Sequence, residues 1–184
     1  GVREVLLPSG AAMAVRRDAL ESVGALDESL GSYMEDVDWS LRAQRIGVRM
    51  ALAPEAVVYH YFSGTMGALS PTKARLIERN RVIVAARHLP LGTLLASPVW
   101  TAARWATLAR AARRAGGAGA ADGAGVDMPA AALRGLALGG AALPSALRER
   151  RRLARVAPVQ AREWRRRLAR HRAQPGDFLT FGAG

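Results

Sequence analysis

Hydrophobic residues form two stripes along the segment that ends at Gly47. A helical spacing of about 3.6 residues per turn places the stripes on nearly opposite faces of one helix. A helix that is apolar on two faces is clamped between two layers of protein. The sequence therefore predicts a buried helix whose acidic first turn is held rigidly at an edge or cleft. The stripes consist of Val37 with Leu41, and of Trp39 with Ala43 and Ile46.

Short apolar runs and helical patterns alternate on either side of this helix, which is typical of an α/β protein. Gly24 is predicted to close one further helix, and Pro71 to begin another. The predicted elements are strands over 4–7 and 11–16, a helix within 16–23, two strands on either side of Pro54 within 48–62, and a helix over 71–89.

The character of the chain changes after residue 90, where alanine, leucine and later arginine dominate. The changes in composition divide the chain into a first unit over 1–90, an amphipathic helical segment over 91–114, a Gly/Ala linker over 115–126 and a basic helical extension over 127–184. The longest apolar stretch, 82–100, contains Arg87 and His88 as well as two prolines. We therefore expect that it does not span a membrane.

Positive charge is concentrated near the C-terminus. The formal net charge is +12, and residues 145–172 hold eleven arginines against two glutamates. Such a charge suits an anionic membrane surface: the arginines can meet anionic lipid while apolar side chains of the preceding segment lie in the headgroup region. These apolar residues are Leu94, Leu95, Val99, Trp100 and Leu108. Nucleic-acid binding is the weaker alternative, since no aromatic stacking platform accompanies the charge; a plain solvated appendage is the third. The chain has no cysteine, which excludes disulfides and thiolate chemistry.

Three carboxylates crowd the start of the predicted helix in "SYMEDVDWSLRAQRIG", namely Glu35, Asp36 and Asp38. The Asp36–Asp38 spacing resembles a metal-binding D-x-D, but residues two apart on a helix point about 200° away from each other. Asp38 is instead spaced to pair with Arg42 at i, i+4 and to favour the helix dipole. A rigid carboxylate beside a like charge can also serve as a general base, which leaves Asp36, with Glu35, as the candidate.

The run "SGAAMAVRRDALESVGALDESLGSYMEDVDWSLRAQRIGVRMALAPEAVVYH" resembles the catalytic domain of family 2 glycosyltransferases of the rhamnosyltransferase-like kind. The order of "VGALDE", "YMEDVDWSLR" and "PEAVVYH" carries the resemblance over about residues 5–62, with weaker similarity through "ERNR" at 78–81. The resemblance implies the C-terminal half of a GT-A (Rossmann-like) α/β domain, followed here by an α-helical extension. We expect the nucleotide-binding half, with its metal-binding D-x-D for Mg or Mn, to be absent, so that the chain is a fragment of a split or truncated enzyme.

By this resemblance Asp36 is the catalytic base, and Glu35 tunes it or binds the acceptor. His60, at the end of a predicted strand, is implied to contact the metal or the diphosphate together with ligands from the missing half; its alternative is a surface histidine. The residues considered for substrate binding are Gly10, Trp39, Arg42 and Arg79. Each has a structural alternative. Gly10 could serve in a turn and Trp39 in the core. Arg42 could form a helix-stabilising pair, and Arg79 could lie on a solvated helix face.

The implied activity is inverting transfer of a sugar from a nucleotide-sugar donor to a glycan or lipid-linked glycan, in the synthesis of cell wall or surface polysaccharide. The resemblance places such an enzyme in the cytoplasm, peripheral on the inner face of the cell membrane. Activity would depend on completion by the missing half. An inactive remnant that binds a membrane or a partner is the main alternative, and a basic nucleic-acid-associated protein is a third.

Overall fold

A computed structural model describes residues 3–61, 70–114 and 127–170. The linker predicted over 115–126 therefore lies outside the described residues. The elements are β1 (Arg3–Val5), α1 (Arg17–Val23), α2 (Glu35–Arg45), β2 (Met50–Leu52), α3 (Pro71–His88), α4 (Leu91–Arg114), α5 (Asp127–Ala141), α6 (Leu143–Val156) and α7 (Ala161–Arg170).

The helices of the N-terminal part begin and end where the sequence signals predicted. Gly24 follows α1 at a φ of 85°, and Gly47 follows α2 at 91°, a region that suits glycine. The Ser70 side chain accepts a hydrogen bond from the Lys73 N–H at the start of α3, where Pro71 takes the first position. These three predicted helices are confirmed.

The described sheet has only two strands, and two of the predicted strands are wrong. β1 and β2 pair antiparallel, with Val5 opposite Met50. Residues 10–12 form a 3₁₀ turn capped by Ser9, and residues 53–61 form no strand and are exposed. β-branched runs become strands only where a neighbouring strand takes up their backbone groups. The described structure is mainly helical with a small sheet, in keeping with part of an α/β domain; the GT-A fold stays a prediction.

Helix α2 lies between two hydrophobic clusters, as its two apolar stripes predicted. Leu41 belongs to the larger cluster, whereas Trp39 and Ala43 pack with Met50 in the smaller one. The larger cluster joins distant parts of the chain: its buried members are Leu30, Leu41, Ile83, Val84, Ala86, Ala146 and Trp164. The C-terminal helices α6 and α7 thus complete the core that α2 and α3 begin.

Helix α5 lies closely against α3 through glycines spaced four residues apart. A Cβ atom built at Gly135 would lie 2.3 Å from the Arg75 carbonyl oxygen, and one at Gly139 would lie 2.7 Å from Val82 Cβ. Ala132, one turn earlier, is also buried. Small residues therefore allow the two backbones to approach each other directly.

A membrane-spanning helix must be both long and apolar. Within residues 3–61, 70–114 and 127–170, no single helix meets both requirements. Helices α5 and α6 meet them only when taken together, and they are bent by 54° at their junction.

Candidate active site

The Asp36 carboxylate is held in place by the backbone of Gly10. The Gly10 N–H donates to Asp36 Oδ2 at 2.8 Å, and the Val37 N–H lies 2.8 Å from Oδ1. A Cβ atom at Gly10 would lie 3.0 Å from that same Oδ2. Two of the predicted site residues, 26 positions apart in the chain, are therefore in direct contact. Because each carboxylate oxygen can accept two hydrogen bonds, both oxygens keep capacity for a further donor.

Glu35, the neighbour of Asp36, follows a turn with unusual backbone geometry. Tyr33 and Met34 have φ values of 72° and 71°, which non-glycine residues seldom adopt. Glu35 Oε2 is buried and has no hydrogen-bond partner among the described residues. The strained turn thus places two carboxylates side by side at the first positions of α2.

Asn80 on α3 holds this turn in place through hydrogen bonds. Its side chain is fully buried, and Nδ2 lies 2.9, 3.1 and 2.7 Å from the carbonyl oxygens of Leu30, Ser32 and Tyr33. The loop into α2 is therefore fixed by a side chain nearly fifty positions away along the sequence. Sequence reasoning missed Asn80. The signal was a polar residue in the apolar series 76–80–84 of a predicted helix.

Asp38 is buried among three hydrogen-bond donors, two arginines and a histidine. The side chain is 1 % exposed and accepts from Arg42 Nε at 2.9 Å, from Arg87 Nη1 at 3.1 Å and from His88 Nε2 at 2.9 Å. Burial by itself would raise the pKa of this carboxyl, but the hydrogen bond from His88 and the charges of Arg87 and Arg42 outweigh it and hold the pKa well below its usual value. The predicted pairing with Arg42 is confirmed, and both carboxylate oxygens are occupied.

His88 is the partner of Asp38 that sequence reasoning did not single out. Burial, together with the positive charges of Arg45 and Arg87, lowers the pKa of His88 although Asp38 opposes the change. A neutral ring that donates through Nε2–H to the Asp38 carboxylate satisfies this geometry. Asp38 and His88 therefore belong to a structural network that joins α2 to the end of α3.

Trp39 lies in the interior, where its core role accounts for its contacts. It is 3 % exposed, packs with Ala43 and Met50, and donates from Nε1 to the Gly24 carbonyl oxygen at 2.7 Å. Stacking on a sugar stays a prediction that this position does not favour.

The two arginines considered for substrate binding contact backbone carbonyls. Arg42 donates to the carbonyl oxygens of Val23 and Ala25 besides Asp38. Arg79 donates to the Ser29 carbonyl oxygen and to the side chain of Asn80. Each arginine thus ties a loop to a helix, and substrate contact stays a prediction for both.

His60 lies in the exposed segment after Pro54. Among the described residues no group of three or more His, Asp or Glu side chains is arranged to hold a metal ion, and the Asp38 carboxylate is already held by Arg42, Arg87 and His88. The described residues therefore do not fit a metal site. A role for His60 stays a prediction.

Glu78 of the "ERNR" run is a further buried acid that the sequence did not reveal. Its carboxylate accepts from Arg81 Nη1 at 2.7 Å and pairs with Arg104 of α4. Arg81, the last residue of this run, is thus already paired within the protein. Glu78 and Asn80 make α3 the support on which both α4 and the α2 turn rest.

The segment that contains this constellation matches a known family. Residues 2–83 match the family described as "Glycosyltransferase like family 2". The match covers Gly10, Glu35, Asp36 and Asn80, and ends inside α3. It supports the resemblance for this segment, which we name the glycosyltransferase-like segment. Comparison with curated proteins and with solved structures gave no significant match.

Proposed function

We propose that the protein takes part in inverting transfer of a sugar from a nucleotide-sugar donor to a hydroxyl group of a glycan or lipid-linked glycan. The observation that carries the proposal is the Asp36 carboxylate, oriented by the Gly10 N–H at the head of α2 and lying within the glycosyltransferase-like segment. Sugar transfer in general is what the family match supports. The donor sugar class, the acceptor and a role in cell-wall or surface polysaccharide synthesis belong to the proposal.

Asp36 acts as general base in the proposed reaction. Its carboxylate accepts the proton of the acceptor hydroxyl as the acceptor oxygen forms a bond to the anomeric carbon. The bond from that carbon to the nucleoside diphosphate breaks on the opposite face, and the diphosphate leaves with the electron pair. Configuration inverts once, and the proton ends on Asp36. Orientation by Gly10 favours this step, because the carboxylate needs no reorganisation before it accepts the proton.

Glu35 is proposed to bind the acceptor or to tune Asp36, since its Oε2 is buried and lacks a hydrogen-bond partner among the described residues. Donor binding, and the divalent Mg or Mn ion that such donors use, are proposed to be supplied by a nucleotide-binding half outside this chain. The alternative, an inactive remnant that binds a membrane or a partner, is an outcome of the test below.

The test is nucleoside diphosphate release from a panel of nucleotide sugars, with this chain joined to the proposed nucleotide-binding half and with an acceptor extract. Asp36→Asn keeps the size of the side chain and removes the base, so turnover is expected to fall by about 10²- to 10⁴-fold with donor binding retained. Asp18→Asn, at an exposed acid paired with Arg16, is the matched control and is expected to leave turnover unchanged. Equal activity of both variants would remove Asp36 from the role of base. No release by any pairing would favour the inactive remnant.

A peripheral position on the inner face of the cell membrane is part of the proposal. Leu91, Leu95 and Val99 lie four residues apart on α4 and are all exposed, with Trp100 exposed beside them. An exposed apolar stripe on a helix, near a basic extension, is suited to the boundary between headgroups and acyl chains. Flotation with anionic vesicles is expected for the chain and should be lost in Leu95→Glu; flotation of this variant at the level of the unaltered chain would contradict the stripe's role.

A further inference from the structure

Three arginines line a cavity between the C-terminal ends of α2 and α6 and the starts of α4 and α7. The cavity has a volume of about 360 Å³, and its lining includes Arg45, Arg150 and Arg165. No carboxylate is found among its described lining residues. The remaining walls are apolar, formed mainly by Pro90, Leu91, Ala154, Val159 and Trp164. The volume falls within the range of small-molecule sites.

Among the described residues, no carboxylate lines this cavity to balance its positive charge. Arg150 donates to the carbonyl oxygens of Ala86 and Leu89 at 3.0 and 2.5 Å, and within the part of the chain that the structure describes the Arg45 guanidinium donates only to the His88 carbonyl oxygen, at 3.4 Å. These carbonyls end α3 and offer the partial negative charge of a helix C-terminus, about half an elementary charge. The guanidinium groups of Arg45 and Arg150, with two positive charges, therefore face only about half a negative charge from the end of α3.

Arg45 carries the clearest sign of an absent partner. It is 8 % exposed, and its Nε is buried without a hydrogen-bond partner among the described residues. Burial, and then the like charge of Arg150, lower the pKa of Arg45. Trp164 lies against its guanidinium at 5.1 Å, which leaves an edge of the planar group for an anion.

The apolar part of the cavity continues onto the protein surface. Leu91 lines the cavity and is also the first member of the exposed stripe that continues through Leu95 and Val99 on α4. An anion bound to the arginines could therefore extend a hydrocarbon chain along α4 without leaving apolar surface. Arginine forks suit phosphate oxygens in particular.

We propose that this cavity binds a phosphate group that carries a hydrocarbon chain, with the phosphate on Arg45, Arg150 and Arg165 and the chain along Leu91 and α4. Most residues that line the site lie outside the glycosyltransferase-like segment, because α4, α6 and α7 follow residue 83. It also stands apart from the proposed sugar transfer, because binding can be measured without a donor or turnover.

The probe is decyl phosphate, titrated calorimetrically into the 184-residue chain below the concentration at which the probe forms micelles. Inorganic phosphate and decanol are the two comparison arms, since each keeps one half of the proposed ligand. Decyl phosphate is expected to bind at least about tenfold more tightly than either. Equal binding of inorganic phosphate would point to a free phosphate site and would overturn the proposal, as would an absence of decyl phosphate binding.

Two neighbouring arginines on α7 provide matched variants. Arg165 lines the cavity and Arg166 does not, although both are exposed. Arg165→Gln is expected to weaken decyl phosphate binding by about three- to fivefold, whereas Arg166→Gln should leave it unchanged. An equal loss in both variants would indicate diffuse attraction to a basic surface and would refute a defined site.

A third variant places a carboxylate in the cavity, where it would compete with a bound phosphate. Ala161 lines the cavity at the first position of α7, where an acidic side chain suits the helix dipole. Ala161→Glu is therefore expected to retain its helical circular dichroism and to lose decyl phosphate binding. Unchanged binding in this folded variant would contradict the proposal.

Discussion

The contact between α3 and α5 allows a sharp test of the packing. In Gly135→Ala the new methyl group would lie 2.3 Å from the Arg75 carbonyl oxygen and 3.0 Å from Glu78 Cβ. Ordinary contact of a carbon atom with such an oxygen needs about 3.5 Å, so α5 would have to move by about 1 Å from α3. A backbone oxygen inside a helix cannot turn aside by itself, and the whole contact must open.

The magnitude follows from two opposing terms. Overpacking of this kind destabilises a core by about 1–3 kcal/mol, while replacing glycine by alanine within a helix stabilises by about 0.5–1 kcal/mol. A Cβ atom added at Gly140 would have nothing within 4 Å, so Gly140→Ala should gain the stabilisation by alanine without the cost of overpacking. Comparison of the two variants therefore isolates the cost of overpacking. The two variants should therefore differ in free energy of unfolding by about 1–3 kcal/mol.

Urea denaturation followed by circular dichroism measures this difference. Gly140→Ala is expected to unfold at a higher urea concentration than the unaltered chain, and Gly135→Ala at a lower one, with similar dependence on urea. If Gly135→Ala proved as stable as Gly140→Ala, the close approach of α5 to α3 would be refuted.

Two further predictions concern the supports of the site. Asn80→Ala leaves three carbonyl oxygens of the α2 turn without their donor, so unfolding should become easier by about 1–3 kcal/mol, and amide exchange at residues 33–36 should rise more than in α6; unchanged exchange there would contradict the anchoring role. His88 has a pKa lowered mainly by burial, so its contribution to stability is complete above its ordinary value of about 6.5 and declines as the pH falls below it. Asp38, whose pKa is lowered by its partners, adds a further loss only at pH values below about 5. His88→Gln should therefore flatten the decline of stability between pH 6.5 and 5, measured by urea denaturation at each pH, and an unchanged slope would contradict this assignment.

The helices could be predicted from the sequence because their signals are local. Glycines follow α1 and α2, and Ser70 with Pro71 begins α3. The Asp38–Arg42 pair was likewise available from a spacing of four residues. The strands failed for the converse reason: residues 11–16 and 54–60 have the composition of strands, but strand formation depends on partners elsewhere in the chain.

The candidate site was only partly predictable. Asp36 was a candidate from its place beside a like charge and from the family resemblance, Gly10 was considered for substrate binding, and the structure adds that the two are in contact. Asn80, Glu78 and His88 act through partners that are distant in sequence or buried by the fold. Burial is what gives a polar residue in a helix its structural meaning, and only the packed structure reveals it.

The larger hydrophobic cluster has a consequence for how this protein can be divided. Sequence similarity to the family stops at residue 83, inside α3, yet Ile83 and Val84 belong to one hydrophobic cluster with Ala146 and Trp164. A recombinant segment that ends at residue 83 would keep Leu30, Leu41 and Ile83 but lose the other buried members of their cluster, Ala146 and Trp164 among them. The C-terminal helices are therefore an inseparable part of the folding unit, and in evolution they would have to be inherited, lost or replaced together with the wall of the core that they cover.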